Sequence, residues 1–339
     1  MRMPIVDAHL DLAYNGRRGR DLTLPAAGQA SVGEGAPAVG LPDLREAGVV
    51  LVCGSVFAQP ADAEDPDGYR TAHQARLAGM VDVDWYLDLE RRGEIRLVRR
   101  VDDLPAVVPA LLDTATPLPV LLAMEGADPI LGPDDVEAWF EIGLRMVGLA
   151  WMHGTRYAGG NAAPGPLTHE GAALVAALDR RGIVHDLAHL DEGAAWQLLD
   201  LTIGPVCATH ANPRAAVPGP RQLSDAMLRA VGERGGVIGT SLYQPHLVAE
   251  SEAWRAATIG DVVHCMRHVA DTLGSVSSIG LGTDADGGFG HDELPEGMRT
   301  HRDLALLADA LTADGFDDDA IAAILGGNWL AFFRRHLPA

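Results

Sequence analysis

Six side chains suited to holding a divalent cation close otherwise apolar runs. They are His9 and Asp11 in V-D-A-H-L-D-L, Glu125 after V-L-L-A-M, His189 in I-V-H-D-L-A-H, His210 in V-C-A-T-H and Asp284 in S-I-G-L-G-T-D. A desolvated charge is costly unless it is paired or binds a metal. A cation shared among these groups removes that cost for all of them together. His9 and Asp11 stand at i and i+2, so on a strand both point to the same side. Neutral imidazole is a good zinc ligand. The sequence contains no lysine, so no carbamylated lysine is available to bridge two metals. A carboxylate can do so, one oxygen to each metal, and Glu125 is the candidate.

Each piece taken singly has a plainer reading. His9 can be a satisfied core histidine near a turn aspartate, Glu125 a helix-start or loop carboxylate, His189 a helix N-terminal residue and His210 a loop residue. D-A-D-G at 284–287 can be a turn whose glycine takes a positive φ; of that pair, Asp284 is assigned to chemistry and Asp286 to the turn. His185 precedes His189 by four residues, about 13 Å along one strand face at 3.3 Å per residue, and is read as core or as a supporting residue. His264 and His268 have zinc-compatible i, i+4 spacing but lack the glutamate of H-E-x-x-H, so a packing role is expected. His73, His169, His291, His301 and His336 have no comparable partners.

The elements that must position these groups follow from apolar patterning. The 339 residues are 47% hydrophobic and 22% charged, enough for a sizeable core. Eight short apolar runs recur: Ile5–Leu12, Val49–Phe57, Val120–Gly126, Arg145–His153, Ile183–His189, Val206–His210, Gly236–Tyr243 and Ser278–Asp284. Helical patterns at Gly68–Arg92, Asp134–Gly143, Thr168–Arg181, Asp191–Asp200, Ser224–Arg234 and Ile259–Leu273 separate them, with two more at Arg302–Leu311 and Asp317–Arg334. Alternation of this kind means parallel strands with crossover helices, and eight strands close into a (β/α)8 TIM barrel. The expectation is one catalytic barrel domain over residues 1–339. The metal-type residues then fall at the C-terminal strand ends and converge on one face. Pro25–Leu41 and Tyr157–Pro166 are expected to be loops over that mouth.

Charge and cysteine narrow the function further. The 47 acidic residues outnumber the 26 basic ones, for a net charge of -21, which excludes a phosphate-tracking surface and with it nucleic acid as a partner. Without lysine there is no Schiff base, P-loop lysine or Ser-Lys dyad. Cys53, Cys207 and Cys265 are odd in number and widely spaced, matching neither a disulfide framework nor a thiolate zinc cluster. No signal-type or membrane-spanning apolar stretch occurs, so a soluble cytoplasmic protein with no membrane partner is expected.

The ordered set of motifs resembles the membrane dipeptidase (renal dipeptidase) family of zinc metallopeptidases, within the amidohydrolase-like barrels. The resemblance runs nearly end to end through D-A-H-L-D-L, L-P-D-L-R-E-A-G-V, M-E-G, L-T-H-E-G, D-L-A-H, T-H-A-N-P-R-A, G-L-G-T-D-A-D-G and G-G-N-W-L. It implies that His9, Asp11 and Glu125 hold one zinc while Glu125, His189 and His210 hold the other. It implies that His153, in W-M-H-G-T, polarises the scissile carbonyl, that Arg221, in P-G-P-R-Q-L, grips the substrate's terminal carboxylate, and that Asp284 handles the proton. It also implies that Tyr243, in T-S-L-Y-Q-P, falls where the family often has an aromatic at the substrate pocket.

Leu10 stands where the family often has asparagine and Ala285 where it often has an aromatic. The segment after His153 is rich in glycine and alanine. These departures leave the metal set intact and put side-chain preference in doubt. The expected reaction is hydrolysis of a dipeptide amide, including dipeptides with C-terminal D-residues, by a hydroxide bridging two divalent metals. A homodimer stays open. Two alternatives stand beside this one: a metal-dependent hydrolase of other amides, lactones or esters, and a barrel that binds metal or peptide without turnover.

Overall fold

Runs buried on both faces pair most readily inside a parallel sheet covered by helices, and the computed structural model has that arrangement. It describes residues 3–32, 35–61, 66–105 and 117–339. Among these the strands are β1 (Ile5–Leu10), β2 (Val49–Phe57), β3 (Ile95–Leu97), β4 (Leu118–Glu125), β5 (Leu144–Gly148), β6 (Val184–Asp186), β7 (Val206–Cys207), β8 (Ile238–Thr240) and β9 (Ile279–Leu281). All pairings are parallel, in the order β7-β6-β5-β4-β2-β1-β9-β8. Just past β7, Ala208 bridges to Ile238, with Ala208 N–H donating to Val237 O at 3.0 Å and Gly239 N–H to Ala208 O at 2.8 Å. The ring of eight therefore closes.

Each expected strand run overlaps one of these eight, with β4 and β5 starting two and one residues earlier than expected. The additional strand, β3, lies off the ring and pairs only with the start of β4. Backbones crowd where β7, β8 and β9 meet: a Cβ on Gly282 would collide with the Thr209 carbonyl. A glycine is required there, whatever its φ.

Helices cover the outside, several starting at side-chain caps. Thr71 and Gln74 form a capping box ahead of Ala72–Arg91, and Thr168 caps His169–Arg181. The expected Asp317–Arg334 helix is interrupted: Asp318–Ala322 passes into a π-helical turn, Ala323–Gly327, before Asn328–His336. The π turn lets Gly326 pass close against the Pro4 carbonyl at the start of β1. Short helices at Leu12–Arg17, Leu41–Ala47 and Gln244–Leu247 are additions to the sequence reading. Of the Pro25–Leu41 loop, residues 33–34 lie outside the described set. Ala38 and Val39 of this loop donate backbone N–H groups to Asp286, so it braces the segment after β9, and none of its described residues lines the cavity described below.

The core has two layers. Ala8, Cys53, Leu121, Met146, Val184 and Cys207 fill the barrel interior with Trp329, Phe332 and Phe333 of the last helix. Leu10, Val52 and Leu122 belong to the other cluster, which also takes in Leu174, Leu198, Leu228 and Met266 of the surrounding helices. All three cysteines are free and buried. Among the described residues no helix is long and apolar enough to cross a membrane.

Two stability predictions follow from this packing. Trp329 is fully buried and its indole N–H donates to Leu281 O at 2.9 Å. Trp329→Ala is expected to cost about 3–5 kcal/mol in urea unfolding; a loss below about 1 kcal/mol would mean the plug is not structural. Asp82 accepts from Phe57 N–H at 2.8 Å and pairs with Arg17, tying the end of β2 to two helices. Burial pushes its carboxyl up to about 7 against the pull of Arg17. Because the folded value is raised, its contribution to stability is lost as pH rises from the ordinary carboxylate range through about 7. Asn does not titrate, so the stability of Asp82→Asn relative to wild type is expected to improve from pH 5 to pH 8. A pH-independent gap would exclude this linkage.

Candidate metal centre

Three of the candidate groups share one structural offset. His189, His210 and Asp284 each stand three residues past a strand end, at Asp186, Cys207 and Leu281. The sequence reading put them at strand termini; they occupy the first turn of the following loop. His9 is inside β1, Asp11 just beyond it, and Glu125 is the last residue of β4.

His189 and Asp284 have φ of 62° and 61°, the left-handed region that non-glycine residues rarely occupy. In D-A-D-G the positive φ falls on Asp284 and Asp286, while Gly287 does not need one. Gly287 instead makes room, because a Cβ there would strike the Asp284 carboxylate. Asp286 is more than a turn residue: buried and paired with Arg20, it anchors the Ala38–Val39 backbone.

The donor atoms of all six candidates converge. His9 Nε2 lies 3.9 Å from Asp11 Oδ2, 3.7 Å from Glu125 Oε1 and 3.8 Å from Asp284 Oδ1. Glu125 Oε1 is 3.2 Å from His189 Nε2 and 3.4 Å from His210 Nε2, and those two nitrogens are 3.0 Å apart. The His9 and His210 rings stack at 3.7 Å. Two ligand-compatible groups result, His9–Glu125–His210 and His9–Asp11–Asp284, the atoms of each within 4.8 Å of one another. They cut across the two ligand sets implied by the resemblance, because the stacked His9 ring is central to both.

The electrostatics fit a cation. Burial, then Asp11 and Asp284, push the Glu125 carboxyl well above the carboxylate range. Burial, then Asp11, do the same to Asp284 despite Arg221. Burial holds His189 and His210 well below the usual imidazole value, helped by Arg221 for the first and by His9 for the second. His9 Nε2 is buried without a hydrogen-bond partner. Neutral imidazoles and crowded carboxylates aimed at one point match the donor set of divalent transition metals.

Supporting residues fix the ring tautomers. Asn161 Oδ1 lies 2.9 Å from His189 Nδ1, which leaves Nε2 unprotonated toward the centre. The Thr209 hydroxyl donates to Asp186 Oδ2 at 2.5 Å and takes the His210 Nδ1 proton at 2.9 Å. Across the barrel the same device recurs: Thr283 donates N–H and hydroxyl to Asp7 at 2.9 and 2.5 Å, setting the backbone that presents Asp284. Buried His301 contacts Asp7 at 2.7 Å, so it does have a partner. The Ser55 hydroxyl donates to Asp11. His185 turns away, with Nε2 2.7 Å from Asp179, and His268 contacts Asp225 at 2.8 Å between helices. Asn161, Thr209, Asp7 and His301 were missed as site support; the repeated Thr before His210 and Asp284 was the legible signal.

A cavity of about 410 Å³ opens over the cluster, within the usual range for small-ligand sites. Asp11, Glu125, His189, Asp284, Arg221 and Tyr243 all line it, as does Asn161 from the Tyr157–Pro166 loop. His153 does not: it is exposed, its ring 6.0 Å from that of Trp151, which does line the cavity. Arg221 Nη2 donates to His210 O at 2.7 Å, while its buried Nε and Nη1 have no partner. Tyr243 stacks on Phe289 at 4.2 Å.

A family-wide sequence model described as "Membrane dipeptidase (Peptidase family M19)" matches residues 1–336. An uncharacterized protein in the pqqA 5' region of Klebsiella pneumoniae is 28% identical over 64% of this chain and 82% of its own length. Dipeptidase aclJ of Aspergillus oryzae is 29% identical over 62% of this chain and 50% of its own length. Among solved structures, the M19 metallopeptidase "dipeptidase AC" superposes with TM-score 0.82 at 25% identity over 100% of both chains. A metallopeptidase from Rhodobacter sphaeroides, bound to a phosphinate mimic of L-Ala-D-Ala, superposes with TM-score 0.83 at 23% identity over 99% of this chain and 100% of its own.

Thr209→Val removes the acceptor that fixes the His210 tautomer. Metal affinity measured by chelator competition is expected to fall about 10–100-fold with the fold intact by circular dichroism. Unchanged affinity would show that Thr209 does not act through His210.

Proposed function

Starting from the premise that this chain belongs to the membrane dipeptidase family, peptidase family M19, we propose how its barrel mouth carries out metal-dependent hydrolysis of dipeptides. In this reading the whole chain acts as one barrel domain. His9, Asp11 and Glu125 would hold one divalent cation and Glu125, His189 and His210 a second, zinc being the metal suited to these donors. Such ions, when bound, polarise a carbonyl and lower the pKa of water. The observation that carries the reading is the convergence of Asp11, Glu125 and Asp284 on His9 Nε2, which no group among the described residues hydrogen-bonds, with His189 and His210 meeting the same Glu125 oxygen.

The chain's own residues do the rest. Asp284 takes the nucleophile's proton and returns it to the leaving amine. Its environment supports that task, since burial and Asp11 raise its carboxyl toward values at which it can carry a proton. Arg221 receives the substrate's terminal carboxylate: it lines the cavity, and two of its buried donors lack an acceptor. A bound carboxylate would end that deficit, which explains a preference for dipeptides over longer chains. Tyr243, backed by Phe289, forms the wall beside it. For His153, the role of stabilising the developing oxyanion rests on the family resemblance alone, since the side chain stands exposed at the rim. The neighbour liganded with an L-Ala-D-Ala mimic supports including C-terminal D-residues among substrates. Three unpaired, buried thiols suit a cytoplasmic setting.

The test is metal content together with a dipeptide panel, L- and D- at the C-terminal residue, assayed with and without chelator. Turnover that is lost with the metal and restored by divalent ions is expected; full activity in metal-free protein would end the proposal. Asp284→Asn is expected to lower kcat at least 100-fold with metal content unchanged. Loss of metal in that variant would make Asp284 a ligand.

A further inference from the structure

One cavity-lining histidine has no part in the chemistry above. His246, in the short helix Gln244–Leu247, lines the same cavity as Arg221 and Tyr243, its ring 5.0 Å from Tyr243 and nearly perpendicular to it. Its protonation pattern can be deduced from its neighbours. Ser241 Oγ is 2.9 Å from His246 Nδ1 and accepts the Tyr243 N–H at 3.3 Å. Ser241 is fully buried, and the imidazole nitrogen is the acceptor within reach of its hydroxyl proton. That proton therefore goes to Nδ1, and the remaining ring proton sits on Nε2. Among the described residues Nε2 has no hydrogen-bond partner and is not sealed from the cavity, so it presents an N–H to whatever enters. Burial and the Arg221 charge hold the ring well below the usual imidazole value, so it stays neutral.

The donor is rigidly placed. Asn212, two residues past His210, donates from Nδ2 to Ser241 O and His246 O at 3.0 Å each, and its side-chain oxygen accepts Ser241 N–H at 3.0 Å. Its own N–H goes to Gln222 Oε1 at 2.9 Å, beside Arg221. One buried asparagine thus ties the His246 turn to the Arg221 turn. The charge of a terminal carboxylate is already matched by the Arg221 guanidinium. A second, neutral donor on the same wall is suited to read the rest of that residue.

We propose that His246 Nε2–H selects dipeptides whose C-terminal residue carries a side-chain oxygen acceptor, the carboxylate or amide of Asp, Asn, Glu or Gln. This rests on the dipeptidase reading, with Arg221 fixing the C-terminus. The test uses Ala-Asp, Ala-Asn and Ala-Leu, whose C-terminal side chains are close in shape, each with L- and D- C-terminal residues. kcat/KM is measured for metal-loaded wild type, His246→Leu and His246→Gln. Wild type is expected to favour Asp and Asn over Leu by about tenfold or more, His246→Leu to collapse that ratio to near one, and His246→Gln, which keeps an N–H, to retain part of it. No wild-type preference, a preference that survives His246→Leu, or an equal loss on all three substrates overturns the proposal. If metal-loaded wild type turns over no dipeptide at all, the dipeptidase reading fails and this inference falls with it.

Discussion

Three carboxylates and three imidazoles share one buried point at the barrel mouth, an arrangement that is unfavourable without a cation. Desolvating an ionised group costs several kcal/mol even after relaxation, and Asp11, Glu125 and Asp284 also repel one another. The chain absorbs this by raising the Glu125 and Asp284 carboxyls and lowering the His189 and His210 imidazoles, which makes the cluster bearable and leaves lone pairs aimed inward. A divalent ion reverses the balance, because each group then has a counter-charge at coordination distance. The scaffold must therefore hold these side chains together when no ion does.

The holding is done from the neighbouring strands. Asp186 at the end of β6 takes the N–H and hydroxyl of Thr209, and Asp7 in β1 takes those of Thr283. Each clamp fixes the residue before a functional group one strand over, so each works only when β6 lies beside β7 and β1 beside β9. The order of the sheet is in this sense part of the site. The left-handed backbone at His189 and Asp284 persists because such contacts over-determine it. Asn161 does this for His189 from a distant loop, pairing both its side chain and its backbone N–H with that residue.

How much of this was legible depends on the range of the interaction involved. The barrel was legible because each strand's apolar run is local, and six donors at run ends marked the mouth. β3 was missed because three residues, Ile95–Leu97, carry no period, and what makes them a strand is the start of β4. His301 looked partnerless because its acceptor, Asp7, lies 294 positions away. For His185 the sequence does not separate core from support, because only the fold shows that it faces Asp179 on a helix, away from the centre. His246 gave no signal, since neither Ser241 nor Asn212 can be recognised as its support by type or spacing. Residue type announces a metal donor; the groups that orient it announce themselves only through tertiary contact.

This difference in origin divides the site in two. The candidate metal donors sit in strands or in the first turn beyond them, while His153, Asn161 and His246 sit on longer excursions after β5 and β8. The departures from the family pattern at Leu10, Ala285 and the stretch after His153 fall beside the donors or on those excursions, never on a donor itself. In a scaffold built this way His246 is anchored through Asn212 and not through the donor cluster, whereas Arg221 is held by the His210 carbonyl and so stays coupled to the donors. The same separation accounts for the exposed position of His153. Unlike Asp284, Arg221 and Tyr243 it lies outside the cavity lining, and it is held by a glycine-rich loop with no clamp like those at Thr209 and Thr283. Chemistry that must stay fixed is tied to the sheet, and contacts that must fit different substrates are tied to loops.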